Sequence, residues 1–306
     1  MKPDRCILVL GGAGMVGAQI VREIAREMEP DRIIVASLFR GEVREFLHDV
    51  RREFANIEFI GAWGDVFVRS EFMNENRRRL MQVRARRDAL YQDLFGGLDE
   101  AQERSGLAQL IRQYKPDVIV DCINSATAIS YQEIESLSKQ THDLLAQIDQ
   151  LVDHQDLQGL SDLGRQLEQS MSALLISQSL PQLIRHVQII HRAMSESGTR
   201  LYLKVGTTGT GGMGLNIPYT HSEDRPSFKL MSKAAVAFAH TGLMFLMART
   251  PNGPLVKELK PGAMIGYRRI AHKTVKQRGR PLFRYQSQEY ALEGRLLLRG
   301  DENTYE

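Results

Sequence analysis

Five apolar residues, Cys6 to Leu10, run straight into Gly11-Gly12-Ala13-Gly14-Met15-Val16-Gly17, and the chain continues as AQIVREIARE. A glycine cluster placed between a strand and a helix restricts what the first fifty residues can build. Gly11 permits a tight turn off the strand. Gly14 lets an anion approach the backbone without a Cβ in the way, and Gly17 lets the new helix pack closely on the sheet. An anion seated there meets the N–H groups of the first helical turn, at Met15 and Val16, and the positive end of the helix dipole. The spacing G-x-x-G-x-x-G in this setting is the pattern of a loop that holds the pyrophosphate of a dinucleotide.

Short apolar runs recur along the chain at 6–10, 32–38, 57–63, 117–123, 200–205 and 254–260. Between them lie segments with apolar residues three or four apart, such as Val16, Ile20, Ile24 and Met28, the spacing of a helix with one buried face. Strands alternating with helices build a parallel sheet, because parallel neighbours need crossover connections. The expected fold is therefore α/β, a doubly wound parallel sheet of Rossmann type. Two intervals, 68–115 and 130–180, exceed what a crossover needs and read as helical insertions over the same sheet. This gives a nucleotide-binding domain over 1–265 and a short C-terminal lobe, or the start of a truncated substrate region, over 266–306.

Composition narrows the partners. The chain has 306 residues and a formal net charge of +3, which argues for neither nucleic acid nor an anionic membrane. No run approaches the roughly 20 apolar residues of a membrane span, and the N-terminus has no apolar signal region. A cytoplasmic protein is expected. Cys6 and Cys122 sit in apolar runs and read as inert buried thiols, with no metal site. The basic stretch 74–88 reads as a solvated helix face with intermittent salt bridges, or as a phosphate or subunit contact. The stripe through Leu144, Ile148 and Leu151 needs a cover, either a second subunit, making a homo-oligomer, or another part of the same chain. The basic segment 266–281 reads as a solvated arm, because no recognised nucleic-acid module accompanies it.

The tip of the second strand carries no acid and is followed by Arg40. An acidic residue there favours NAD through the ribose hydroxyl, whereas arginine accommodates the extra phosphate of NADP. NADP or NAD is the expected cofactor, with Arg40 favouring NADP.

The glycine spacing resembles that of the short-chain dehydrogenase/reductase superfamily, in particular its extended and atypical branch of nucleotide-sugar epimerases and dehydratases. Further landmarks fall in the same order. Gly64-Asp65-Val66 after the third strand resembles the Asp-Val pair beside the adenine. Asn124-Ser125-Ala126 closes the fourth strand where the family carries Asn-Ala-Gly or Ala-Ala against the cofactor. Lys260-Pro261-Gly262 resembles the Pro-Gly segment near the nicotinamide, so Pro261 and Gly262 join the expected cofactor contacts. The resemblance covers about residues 5–265, less the insertions.

Active members of that family use a hydroxyl residue, a tyrosine and a lysine, the last two as Tyr-x-x-x-Lys on the helix after strand five. The resemblance gives Thr207 or Thr208 the task of orienting the substrate oxygen. Lys233 would hold the nicotinamide ribose and depress the pKa of a neighbouring acid. Where the tyrosine belongs stands Lys229. A neutral Lys229 beside the Lys233 cation is one candidate base; Tyr219 and His221 upstream are relocated alternatives. The resemblance thus implies an NAD(P)-dependent oxidoreductase or epimerase acting on a hydroxyl or carbonyl carbon of a small, sugar-nucleotide-like substrate. The broken pattern favours a rival, a redox-silent NAD(P)-binding sensor or scaffold.

Overall fold

The computed structural model describes residues 5–125, 134–153, 157–206, 228–251 and 253–259, with four short strands between 276 and 299. The apolar run after the N-terminus forms β1 (Cys6–Leu10), and the glycine turn delivers the chain into α1 (Met15–Met28). The chain continues through β2 (Arg32–Ser37), α2 (Arg40–Glu53) and β3 (Glu58–Trp63). After a single 3-10 turn come α3 (Arg77–Gln82), α4 (Arg84–Phe95), α5 (Leu98–Arg104), α6 (Gly106–Tyr114) and β4 (Val118–Asp121). Then follow α7 (Ile134–Asp153), α8 (Leu157–Ile176), α9 (Ser179–Ser197), β5 (Leu201–Val205), α10 (Phe228–Ala248) and β6 (Leu255–Leu259). Beyond it, β7 (Lys276–Gln277) pairs with β8 (Arg280–Pro281), and β9 (Gln288–Leu292) with β10 (Arg295–Arg299), both antiparallel.

The main sheet has six strands in the order β3-β2-β1-β4-β5-β6, every pairing parallel. This is the doubly wound order of a Rossmann fold, and its direction reverses between β1 and β4. Each of the six expected strands is present, with ends shifted by a residue or two. Alternation sorts the side chains. Ile7, Val9, Ile33, Val35 and Val120 bury against α1 and α2, through Val21, Ala25, Val43, Phe46 and Val50. Leu8, Leu10, Ile34, Ile119 and Tyr202 bury against the other layer, α6, α9 and α10, through Leu107, Ile111, Ile190, Met194 and Met244.

Helix ends follow local chemistry. Ser105 caps α6 by accepting the Ala108 N–H, and Gly198 ends α9 in the left-handed region at φ 73°. Among the described residues no helix is long and apolar enough to cross a membrane.

The two insertions form one helical body. α7 packs on α8, with Thr141 Oγ1 and Ser170 Oγ hydrogen-bonded at 2.8 Å in the contact, and α8 packs in turn on α4. Leu144 is buried within the chain, so there the stripe that called for a cover finds it intramolecularly, and a subunit contact through Leu144 is corrected. Ile148 is half-buried, and the Leu151 side chain lies outside the described residues. The arginine stretch is likewise no solvated face throughout. Arg87 is 3% exposed and pairs with Glu168 of α8 at 2.8 Å, while Arg77 pairs with Asp65 and Arg86 with Glu75. Arg84, facing Asp88, does stay exposed.

Candidate functional site

The reversal of strand order between β1 and β4 opens a crevice at the carboxyl ends of the strands, where such sheets hold ligands. The glycine turn occupies one wall. Gly11 has φ 73°, and a Cβ on it would meet the Cys122 carbonyl carbon at 3.2 Å, so it also seats the turn against the end of β4. Gly12 N–H donates to Ala36 O of β2 at 3.0 Å. A Cβ on Gly17 would stand 2.1 Å from Gly11 O, an impossible contact, so α1 approaches the turn only because Gly17 has no side chain.

Gly14 differs from both. Its φ of −74° and ψ of 172° suit any residue, and a Cβ there would meet only Gly11 O, at 3.2 Å. The first helical bond runs from Ala18 N–H to Gly14 O, and no side chain caps α1. The amides of its first turn therefore have no partner within the helix. Met15, 91% exposed, and Val16 flank this end of α1 and leave it open. The residues present fit a pyrophosphate: an uncapped helix N-terminus behind a glycine whose backbone angles do not call for one and whose Cβ would need Gly11 O to give by a few tenths of an ångström.

Next to this turn, Arg40 is the first residue of α2 and lies exposed over the Trp63 ring, 4.8 Å from its centroid. The Gly64 N–H donates to Ser37 O, joining the tips of β2 and β3 beside that stack. The Asp65-Val66 pair, expected beside an adenine, has its side chains engaged within the protein. Asp65 Oδ2 accepts from Arg77 Nε at 2.7 Å and Oδ1 from the Phe67 N–H at 3.0 Å. The Val66 side chain is buried in the core.

The opposite wall is the end of β4. Asn124 is exposed, whereas Ser125 is buried and its hydroxyl has no hydrogen-bond partner among the described residues. Beneath them lies a group that sequence reasoning missed. Asp121, 1% exposed, holds Lys204 of β5 at 3.0 Å, accepts the Tyr202 hydroxyl at 2.6 Å and accepts the Ile123 N–H at 2.8 Å. Lys204 Nζ also donates to Ile123 O at 2.5 Å, so this pair fixes the backbone that presents Asn124. Burial pushes the Asp121 carboxyl up, but the Lys204 ammonium and the Tyr202 hydroxyl outweigh it and hold the group below its ordinary value. Burial, followed by the Asp121 charge, raises Tyr202. Cys122 is pushed up to about 12 by burial and by Asp121, and neither cysteine is in a disulfide.

His186 of α9 and His240 of α10 stand by this group, ring centroids 6.4 Å apart. Burial lowers His186 to about 4; burial and the Lys204 charge lower His240 to about 3. Both are neutral imidazoles at pH 7. The signal in the sequence is an ionisable residue at an inward position of an otherwise apolar strand, as in VIVD and LYLKV.

Thr207, Thr208, Tyr219, His221, Pro261 and Gly262 lie outside the described residues. Lys229 and Lys233 fall in the first two turns of α10, with their side chains outside what is described. The structure thus brings together Gly11, Gly14, Gly17, Asn124 and Ser125 around the crevice.

No protein-family model matches the chain, and no curated protein matches it. Solved structures do. The Bordetella bronchiseptica enzyme WbmG, in complex with NAD and UDP, is 13% identical at a TM-score of 0.38, over 83% of this chain and 52% of that one. A 3-oxoacyl (acyl-carrier-protein) reductase from Agrobacterium tumefaciens C58 with NADP bound is 16% identical at 0.43, over 84% and 69%. A short-chain dehydrogenase/reductase from Saccharomyces cerevisiae is 10% identical at 0.36, over 83% and 68%. The chain spans about half the length of WbmG. Likeness at this level bears on nothing finer than the strand arrangement described above.

Proposed function

We propose that the chain is an NAD(P)-dependent enzyme of short-chain dehydrogenase/reductase type, acting on a hydroxyl or carbonyl carbon of a small-molecule substrate. The observation that carries this reading is Gly14. Gly11 and Gly17 are glycines because the turn needs them, but at Gly14 the protein itself asks for little more than a shift of a few tenths of an ångström. A ligand backed against the open end of α1 explains its missing side chain. Arg40, stacked on Trp63 beside Ser37, supports a 2′-phosphate and hence NADP. A bound nicotinamide dinucleotide would supply the hydride donor or acceptor. Around it, the Lys204–Asp121 pair holds the Asn124 wall in place, Lys233 holds the ribose and Thr207 or Thr208 orients the substrate oxygen. Lys229 or Tyr219 moves the proton.

Gly14→Val tests the reading. Calorimetry on the wild-type chain should show NADP(H) or NAD(H) binding, and the variant should lose it at unchanged melting temperature. Equal affinity in both would remove the assignment. A chain that binds the cofactor but reduces or oxidises none of a panel of sugar nucleotides, alcohols and ketones is instead a redox-silent sensor or scaffold, the reading Lys229 favours.

We also place the homo-oligomer contact on α10 rather than on the insertions. α10 buries Val236, His240, Met244 and Met247 inward yet exposes Met231, Phe238, Phe245 and Leu246. Gly242 stands between the exposed rings and Ala235 one turn before Phe238, and a Cβ at Gly242 would meet nothing within 4 Å. A two-fold axis that sets Phe238 against Gly242 of a second copy also sets Phe245 against Ala235. The large side chains then fill the small positions. The four exposed side chains offer on the order of 450 Å² of apolar surface, about what a standard interface of roughly 800 Å² per side contains. Phe238→Lys should convert the assembly to monomer in light scattering.

A further inference from the structure

A cavity of about 70 Å³ lies away from the glycine turn, between the helical insertions, α9 and the segment that follows β3. Its walls are largely hydrocarbon, with Leu80 of α3, Leu90 of α4, Ile176 of α8 and Ile189 of α9 among them. Its polar side carries Arg185 and His186, consecutive on α9.

The charges around it do not cancel. Arg69 is held by Asp93 in a two-point contact at 2.7 and 2.6 Å, and Arg77 is held by Asp65. Arg185 has no carboxylate among the described residues. It donates from Nε and Nη2 to Leu94 O and from Nη2 to Gly96 O, the carbonyls at the end of α4. An arginine has five N–H donors; the two on Nη1 have no partner among the described residues. Beside it, His186 is buried, and its Nε2 has no hydrogen-bond partner there either. The buried ring nitrogen of His186 needs an explanation, because an unsatisfied buried polar group costs about 1–3 kcal/mol, and the half-buried Arg185 beside it supplies a cation with no carboxylate among the described residues.

We propose that this cavity binds a short-chain monocarboxylate, its carboxylate on Arg185 Nη1 and His186 Nε2–H and its hydrocarbon tail between Leu80, Leu90, Ile176 and Ile189. A single uncompensated cation matches one negative charge, which disfavours a doubly charged phosphate. The neutral imidazole donates through Nε2 without adding charge. An apolar cavity of about 150 Å³ takes up benzene, so half that volume limits the tail to about three or four carbons. The segment 66–69, which follows the tip of β3, forms one side of the cavity. This site goes beyond the dinucleotide reading and does not rest on it.

Sodium butyrate is the probe, with butyramide as its uncharged counterpart. Calorimetric titration of the full chain should give saturable one-to-one binding of butyrate, at least tenfold tighter than butyramide. Arg185→Met should lower butyrate affinity at least tenfold and leave butyramide unchanged. Arg185→Met also removes bonds to the end of α4 and can unfold the chain, so Ala101→Leu serves as a second variant. Ala101 lines the cavity, and the larger side chain fills it and should abolish butyrate binding. Gly14→Val should leave butyrate binding intact, which separates this site from the dinucleotide site. Butyrate that binds no better than butyramide, or equally well to Ala101→Leu, overturns the proposal.

Discussion

The two faces of the sheet are built on different terms. The face under α1 and α2 is hydrocarbon from end to end, and its core includes Ile7, Val9, Ile33, Val35, Phe46 and Val50. The face under α6, α9 and α10 carries an equally apolar core, but toward the strand ends it takes in Asp121, Lys204, Tyr202, His186 and His240. The first face stabilises by burial alone, at about 25 cal/mol per Å² of apolar surface. The second spends part of that gain on desolvating charges. A buried ion pair roughly balances its own desolvation, so its retention beneath the Asn124 wall points to positioning rather than to stability.

The comparison breaks first at Lys204. Lys204→Met leaves Asp121 charged, buried and unpaired, and should cost about 3–5 kcal/mol in urea unfolding. The double variant Asp121→Leu/Lys204→Met should cost less than the single one. A single variant that melts like wild type would mean the pair is not buried as described.

Acid should sharpen the contrast next. In the unfolded chain both imidazoles titrate near 6.5, but in the fold His186 is lowered to about 4 and His240 to about 3. The unfolded chain therefore takes up protons that the folded one refuses. Their contribution is fully present above about pH 6.5 and falls away as pH drops toward 4 for His186 and toward 3 for His240. Each accounts for a loss on the order of 3 kcal/mol. Asp121, held below its ordinary value, adds a further loss at lower pH. Denaturant midpoints measured from pH 7.5 to 4 should fall steeply in wild type and far less in His186→Leu/His240→Leu.

The smallest effect is expected on the hydrocarbon face. Ile33→Val removes one buried methyl and should cost about 1 kcal/mol, by the same amount at pH 5 as at pH 7.5. A pH-dependent cost there would show that the two faces are coupled.

Much of this division was legible in the sequence. Short apolar runs between helical stretches located all six strands of the sheet, because the central strands β1, β2 and β4 are buried on both faces and admit little else. Gly11 and Gly17 were legible for the same reason, since the turn admits nothing larger. The Lys204–Asp121 pair was not, because each residue looks like an ordinary charged strand end until β4 and β5 lie side by side. Within the arginine stretch the burial of Arg87 was not legible, because its partner Glu168 stands far along the chain in α8. Leu144 could equally have faced a subunit or a helix, and an amphipathic stripe does not say which.

That distant partner has a consequence for how the molecule comes to be folded. Arg87 and Glu168 are 81 residues apart, with β4 between them in the sequence. α4 cannot bury its arginine until α8 has been made and has returned across the sheet. Closing a loop of that length before its contacts form is the slow kind of step in folding. On a ribosome, the first three strands with α1 and α2 emerge with their local contacts already in reach. The helical body over the other face waits for the second insertion, so the molecule is expected to assemble the half that carries the glycine turn first and its insertions last.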